Sequence, residues 1–193
     1  MNLKEKFCNK TIILASNSPR RKQFLTDLGV TFKVQPTNIN ETYPSNLKGK
    51  DIAIYIAKKK AAFFTNITNN QIIITCDTVV WLDNHALEKP VDKADAKRML
   101  EKLSAKTHQV TTAVCIKSVE KEVFFSDTTL VTFAQLSESD ILYYIDNYKP
   151  FDKAGAYGIQ EWIGLIGIEK INGSYTTVVG MPMEKLYKNL NTF

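Results

Sequence analysis

Asp77 is the first residue of this sequence whose surroundings point to chemistry. It interrupts an apolar run from Ile72 to Leu82 that otherwise contains mainly Ile, Cys, Val and Trp. A carboxylate in such surroundings is costly unless a cation or a metal ion meets it. We interpret the run as a strand, a functional break at Asp77-Thr78 and then further extended chain, because α/β sheets bind ligands at the ends of their strands. The alternative is an aspartate in a turn between two strands.

Lys60 is a second candidate, because it falls on the apolar face of a predicted helix over Asp51–Thr65. At about 100° per residue the apolar side chains of this segment form one broad arc, with Lys60 near its middle. A lysine on an inner face needs an anionic partner. The alternative, which the pattern leaves open, is a lysine whose stem follows the helix surface until the ammonium reaches solvent.

A third candidate is a turn between a strand and a helix. Thr11–Ala15 predicts a short strand, Ser18 suits an N-cap and Pro19 suits the first helical position. Free backbone N–H groups and the positive end of the helix dipole gather at such a turn, hydroxyls add donors, and a guanidinium can hold phosphate oxygens in pairs. The alternative is an ordinary helix cap with two surface arginines. The residues that would bind phosphate are Ser16, Ser18, Arg20 and Arg21.

Three further stretches contain residues that chemistry could use, although each is unspecific alone. Glu41 lies in a polar stretch, and Lys89 follows a predicted loop. The segment Asp152–Gln160 contains glycines, which would allow its backbone to approach a ligand closely.

The predicted strands and helices that must position these residues alternate in the first part of the chain, and two long strands pair in its middle. This order predicts an α/β fold, bordering on α+β, with a mixed central sheet and flanking helices. The predicted strands are Thr11–Ala15, Thr31–Gln35, Ile72–Leu82, Thr107–Ser118, Val123–Phe133 and Ile163–Ile171. The predicted helices are Pro19–Leu28, Asp51–Thr65, Lys93–Leu103 after an Asp92 cap, Glu138–Asn147 after a Ser137 capping box, and Met183–Leu190.

Composition indicates a single domain over residues 1–193, built as one body or as two lobes around a cleft. The formal net charge of +5 favours an anionic partner, but the lysines are spread along the chain, as on an ordinary solvated surface. Cys8, Cys76 and Cys115 form no CxxC pair, so we expect free thiols in a reducing compartment. With no secretory signal and no membrane span in the sequence, the cytoplasm is the expected location.

Taken in order along the chain, these motifs resemble the Maf family of nucleoside triphosphate pyrophosphatases. They cover nearly the whole chain, and they are specific as a series rather than singly. Thr75 and Ala105 stand where the family usually has glycine, which we expect to adjust backbone packing. The matching stretches are Leu14–Arg21, Asp77–Val80, Glu88–Pro90, Leu103–Val110, Asp152–Gln160, Asn172–Tyr175 and Val179–Pro182.

The resemblance implies a Maf/ITPase-like fold with two lobes around a deep cleft, a nucleoside triphosphate substrate and a divalent metal cation, Mg²⁺ or Mn²⁺. By position, Asp77 would be the general base or a metal ligand, and Glu41 would help to hold the metal. Lys60 and Lys89 would bind phosphates, and the turn residues Ser16, Ser18, Arg20 and Arg21 would line the triphosphate site. The chain is similar to the subgroup acting on dTTP and UTP, in which the positions of Arg20, Thr78 and Gln160 tune base choice.

Other functions stay open at this point. One is a non-catalytic nucleotide-binding protein that regulates division, although a pure binder has no need for Asp77. Another is a relative acting on a different or modified nucleotide. A nucleic-acid partner is not expected, because no stripe of aromatics interleaved with Lys and Arg is present. A membrane partner is not expected either, and the resemblance makes a homodimer plausible.

Overall fold

A computed structural model describes residues 3–193, and a mixed β-sheet runs through its centre. This confirms the predicted fold class. The strands are β1 Thr11–Leu14, β2 Phe32–Val34, β3 Gln71–Leu82, β4 His85–Leu87, β5 Thr107–Lys117, β6 Glu122–Phe133 and β7 Ile168–Asn172. The helices are α1 Leu3–Lys6, α2 Pro19–Asp27, α3 Lys50–Ala62, α4 Lys93–Leu103, α5 Glu138–Tyr148, α6 Trp162–Gly167, α7 Tyr175–Val179 and α8 Met183–Thr192, with 3-10 turns at Pro150–Asp152 and Ala154–Ala156.

The strand order is β2-β1-β3-β5-β6-β7, with β4 attached to β3. β1 pairs in parallel with β2 and β3, while the other pairs are antiparallel. β5 lies along one edge of β3 from Ile73 to Trp81. On the other edge β1 covers β3 only as far as Ile74, and β4 begins only at Val80. Within the described residues, the segment 75–79 of β3 therefore has an edge without a partner strand.

The predicted break at Asp77-Thr78 is wrong, because β3 continues through both residues. Asp77 pairs with Ala113 and Thr78 with Thr112, so β5 satisfies their backbone on one side. The polar pair does not end the strand. It stands where β1 has already ended, so the interruption lies in the neighbouring strand. The apolar residues on either side of Asp77 are buried because they belong to β3.

The predicted strand Ile163–Ile171 is also wrong in its first half. Trp162–Gly167 forms α6, and only the following residues form β7, which pairs with β6. A short apolar run does not distinguish a buried helix from a strand by periodicity. The predicted caps, by contrast, are confirmed: the side chains of Ser18, Asp92 and Ser137 each accept a hydrogen bond from a backbone N–H in the first turn of their helix.

Two large hydrophobic clusters pack at opposite ends of β3. One contains Ile72 and Ile74 and joins β1, α2 and α8. The other contains Val80 and Leu82 and joins α4, α5 and α6. The polar residues of the middle of β3 lie between these two cores. Within residues 3–193, no helix is long and apolar enough to cross a bilayer.

Ala105, one of the departures from the family pattern, has a left-handed backbone with φ of 56°. A side chain in this region costs about 1 kcal/mol relative to glycine. Because Ala105 is exposed, Ala105→Gly loses no packing, and we expect the free energy of unfolding to rise by about 0.5–1 kcal/mol. Chemical denaturation measures this. The control is Ala94→Gly in α4, an exposed helical position, where stability should fall; a fall at both positions would contradict the prediction.

His108 is buried with its Nε2 2.7 Å from the Tyr157 hydroxyl, while its Nδ1 has no hydrogen-bond partner among the described residues. Desolvation lowers its pKa from 6.5 to about 4. The unfolded chain therefore binds a proton that the folded chain refuses, and stability should fall by on the order of 3 kcal/mol as the pH decreases through this window. Urea unfolding across that range should show a smaller pH dependence for His108→Gln, and an unchanged one for the exposed His85→Gln. Equal pH dependence in wild type and His108→Gln would contradict this reasoning.

Candidate functional site

A cleft of about 930 Å³ opens at the unpaired edge of β3. It lies between the β1–α2 turn, the polar segment 36–43, β3 and the segment 152–160. All the site residues predicted from sequence line this one cleft. They are Ser16, Ser18, Arg20, Arg21, Glu41, Lys60, Asp77, Thr78, Lys89 and Gln160.

At the floor of the cleft, Lys60 bridges two carboxylates. Its Nζ lies 2.8 Å from Asp77 Oδ1 and 2.9 Å from Glu41 Oε1. Lys60 and Asp77 are buried, with side chains 9% and 10% exposed, whereas the Glu41 side chain is 44% exposed. The inner-face lysine predicted on α3 therefore has anionic partners and does not run to solvent. The second oxygens of Asp77 and Glu41 make no hydrogen bond among residues 3–193 and are available to the cleft.

Burial and neighbouring cations shift the pKa values of Asp77 and Glu41 in opposite directions. Desolvation raises the pKa of Asp77 above its ordinary value, against the opposing effect of Lys60 and Arg21. Desolvation also acts to raise the pKa of Glu41, but Lys60, Lys89 and Arg21 outweigh it and lower that pKa. Glu41 is thus held as the anion. Asp77 is the carboxyl group whose proton affinity has moved toward the range that a general base needs.

Arg21, in the first turn of α2, joins segments of the chain that are distant in sequence. Its Nε donates to Gly180 O at 2.9 Å, one Nη to both Ser16 Oγ and Cys76 O at 3.2 Å, and the other Nη to Thr78 Oγ1 at 3.0 Å. All but one of the guanidinium N–H donors are thereby used within the protein. Arg21 lines the cleft, and it also satisfies a carbonyl on the open edge of β3.

The β1–α2 turn presents hydroxyls and free N–H groups to the cleft. Ser18 caps α2 by accepting from Arg21 N, and Ser16 Oγ accepts from Ser18 N at 3.2 Å. The Ser16 hydroxyl accepts from Arg21 too, so its own proton stays free to bind an anion. Lys89 is exposed and forms no ion pair among the described residues. The turn and Lys89 therefore both supply the cleft with groups that can bind an anion.

The opposite wall is held by a charged network that sequence reasoning missed. Lys153 is buried, and its Nζ lies 2.7 Å from Asp152 Oδ1 and 3.1 Å from Glu161 Oε1. Asp152 Oδ2 in turn lies 3.4 Å from Arg20 Nη1. The Tyr144 hydroxyl donates to Glu161 Oε2 and accepts from Gly158 N.

This network spans the residues on either side of Gln160, whose exposed amide makes no hydrogen bond within residues 3–193. Only the adjacency of Asp152 and Lys153 within a motif hinted at it in the sequence. Gly155, which we expected to allow a close approach to a ligand, instead approaches β3. A Cβ there would meet Val80 Cγ1 at 3.1 Å, and its φ is 70°.

The carboxylate oxygens of the cleft suit a hard divalent cation that also takes oxygens from a bound phosphate ligand and from water. No group of three His, Cys, Asp or Glu side chains is gathered anywhere in residues 3–193, so a cage made only of protein side chains is not present there. Mg²⁺-type sites often use one or two carboxylates and take their other oxygens from phosphates and water. The free oxygens of Asp77 and Glu41 meet that requirement.

Comparisons with known proteins show the family of the chain. Residues 11–193 match the sequence model of the family described as Maf-like protein. The chain is 54% identical over 186 residues to the dTTP/UTP pyrophosphatase of Flavobacterium psychrophilum, covering 96% of this chain and 95% of that protein. It is also 54% identical over 181 residues to the dTTP/UTP pyrophosphatase of Phocaeicola vulgatus, covering 93% and 94% of the two chains.

Solved structures support the fold alone. The Staphylococcus aureus Ham1 protein matches with a TM-score of 0.51 at 16% identity, covering 95% of this chain and 99% of that one. The HAM1 protein from Coxiella burnetii matches with a TM-score of 0.53 at 15% identity, covering 95% and 100% of the two chains.

Lys60→Met tests the carboxylate bridge through stability. The substitution leaves Asp77 and Glu41 facing each other without their common cation, so we expect the free energy of unfolding at neutral pH to fall by about 3–5 kcal/mol. The double variant Lys60→Met/Asp77→Asn should regain most of this loss, because the buried unpaired charge is gone. Lys58→Met, at an exposed position of the same helix, is the control. A single Lys60 variant as stable as wild type would show that the bridge contributes nothing.

Proposed function

The chain belongs to the Maf family, and on that basis we propose that it hydrolyses nucleoside triphosphates, dTTP and UTP before others. Water attacks the α-phosphorus, and the bond from that phosphorus to the αβ-bridging oxygen breaks. The products are the nucleoside monophosphate and pyrophosphate. The observation that carries the proposal is the convergence of a buried carboxylate, its lysine partner and a wall of cations in one cleft.

The cleft supplies the positive charge that the substrate needs. A triphosphate carries roughly four negative charges near neutral pH, and these must be neutralised before a nucleophile can approach. Lys89, Arg20 and the N-terminal turn of α2 line the same cleft as Asp77 and present cations, hydroxyls and N–H groups to it. Lys60 is engaged by carboxylates, so its first effect on phosphate is through its charge rather than through a direct hydrogen bond.

Asp77 is placed to accept a proton from the attacking water. Its buried position raises its pKa, and its second oxygen is open to the cleft. Lys60 holds the other oxygen, which orients the carboxylate and limits how far the proton affinity can rise. Glu41, kept ionised by the surrounding cations, is the second acidic group at the same point.

A divalent cation, Mg²⁺ or Mn²⁺, would be held by Glu41 together with phosphate oxygens, and by Asp77 as well in the alternative in which its free oxygen is a metal ligand rather than the base. When bound, it would polarise the α-phosphoryl group and neutralise charge on the leaving pyrophosphate. The protein groups around it fix the geometry: Lys60 keeps the two carboxylates in place, and the network of Lys153 and Glu161 keeps the opposite wall in place.

The base is read at the wall that carries Arg20, Thr78 and Gln160. The free Gln160 amide can donate to O4 of uracil or thymine, whereas cytosine presents an amino donor at that position. With Cys76 and Cys115 buried as free thiols, the reducing cytoplasm is the compartment we propose.

A panel of nucleoside triphosphates with identification of products tests the function. We expect monophosphate and pyrophosphate from dTTP and UTP, with CTP and purine nucleotides cleaved more slowly by about tenfold to a hundredfold in kcat/KM. Gln160→Ala should flatten this preference more than it lowers the rate on CTP. Release of diphosphate and orthophosphate would overturn the proposed reaction, and equal rates on CTP and UTP would overturn the base preference.

Asp77→Asn tests the role of the carboxylate in turnover. The substitution keeps the shape and removes the charge, so kcat should fall by roughly a hundredfold or more. Lys60 keeps Glu41 as a partner in this variant, and we expect a folded protein by circular dichroism and thermal melting. A folded variant with the wild-type rate would assign Asp77 a purely structural role.

A further inference from the structure

A chain of hydrogen bonds leads from Arg21, across β3 and β5, to α7. Arg21 Nη2 donates to Thr78 Oγ1 at 3.0 Å. Thr78 Oγ1 lies 2.9 Å from Thr112 Oγ1, and Thr112 Oγ1 donates to the Thr177 carbonyl at 2.7 Å. Thr112 and Thr177 are fully buried, while Thr78 is half-buried and lines the cleft. Only Thr78 in this chain of hydroxyls can meet a ligand.

The direction of each bond follows from counting protons. A guanidinium only donates and a carbonyl only accepts, while each threonine hydroxyl has one proton. Thr112 gives its proton to the Thr177 carbonyl, because a carbonyl only accepts and their 2.7 Å separation needs a proton between the two oxygens; Gly180 N also donates to this carbonyl, at 3.2 Å. The proton between Thr78 and Thr112 must then come from Thr78. The Thr78 hydroxyl therefore receives from Arg21, donates to Thr112, and offers the cleft a lone pair only.

At its Thr177 end this series of hydrogen bonds is anchored by charged side chains. Thr177 Oγ1 donates to Asp127 Oδ2 at 2.6 Å, and Asp127 Oδ1 lies 2.6 Å from Lys185 Nζ. Because Thr177 is anchored by its side chain as well, its carbonyl cannot turn away from Thr112 without breaking a charge-assisted bond. The fold therefore fixes the Thr78 hydroxyl as an acceptor toward the cleft before any ligand binds.

An acceptor-only hydroxyl restricts what can bind next to it. Phosphate oxygens in a metal-bound triphosphate accept and do not donate, so Thr78 does not bind the phosphate chain. Uracil and thymine in a nucleotide have one N–H donor, at N3, whereas N3 of cytosine is an acceptor. We propose that Thr112 is a positioning residue for base selection: it takes the Thr78 proton, so that Thr78 accepts from N3–H and opposes N3 of cytosine. This inference rests on the proposed function.

The test is the ratio of kcat/KM for UTP to that for CTP in a set of variants. Thr112→Val keeps the side-chain shape and removes the acceptor, so the Thr78 hydroxyl can turn and donate to cytosine N3. We expect the ratio to fall by about tenfold. Thr112→Ser retains the hydroxyl and should keep the wild-type ratio. In a Thr78→Val background, Thr112→Val should change the ratio no further, because the hydroxyl on which it acts is absent.

Two control variants separate base selection from a general loss of packing. Thr129→Val removes the bonds between Thr129 Oγ1 and the backbone of Ser174, and so loosens the start of α7 without touching Thr78. Thr111→Val removes the neighbouring Thr111–Thr128 hydroxyl pair, which lies on the other face of β5. Both should melt at lower temperature and keep the wild-type UTP/CTP ratio.

The outcomes separate this inference from the proposed function. Wild-type release of pyrophosphate from UTP and dTTP tests the function alone. If the wild type prefers UTP and Thr112→Val keeps that preference, the inference is overturned and the function stands. A uniform loss on all nucleotides would mean that Thr78 meets the sugar rather than N3, and it would also overturn the inference. A fall in the ratio that Thr129→Val reproduces would assign the effect to α7 and overturn it as well.

Discussion

The unpaired stretch of sheet edge between β1 and β4 is the constraint on which the rest of this structure depends. Buried backbone groups must find partners, and here the partner strand is absent over segment 75–79 among the described residues. Arg21 supplies one replacement by donating to Cys76 O. The remaining edge faces the cleft, so the place where the sheet is incomplete is also the place where a ligand can reach the middle of a buried strand. Burial of the carboxylate and access for substrate, normally opposed, are combined at Asp77.

The electrostatics of the cleft follow from this position. Asp77 cannot stay charged in a buried strand without Lys60, and Lys60 cannot stay on the inner face of α3 without acids. Glu41, from the polar segment before α3, completes the balance, so three side chains from three elements are mutually dependent. Lys89 lies outside this balance and forms no ion pair among the described residues, so it leaves the cleft with positive charge to offer an anion. The walls of the cleft hold the networks of Lys153 and Thr112.

Much of this could be predicted from the sequence, and the failures have common causes. Asp77 and Lys60 were found because a charge in an apolar pattern is locally visible, and the caps of α2, α4 and α5 because capping is a local interaction. The continuity of β3 through Asp77 was missed because it depends on the shortness of β1, a different segment. The pair Arg20–Asp152, separated by 132 positions, has no local signature. The apolar run of α6 is too short for its period to distinguish a helix from a strand. The predicted homodimer and the absence of a nucleic-acid partner stay predictions.

Arg21 has a consequence for how the protein matures. Its guanidinium joins residues near positions 16, 76 and 180, so this part of the cleft is assembled from three segments that lie far apart in the sequence. During synthesis the first two can meet while the last is still being made. The carbonyl of Gly180 follows Cys76 by about 100 residues, and the Thr177 carbonyl comes shortly before it. A nascent chain that has reached Asp77 therefore holds its acidic and basic residues without the complete cleft that would let them act together.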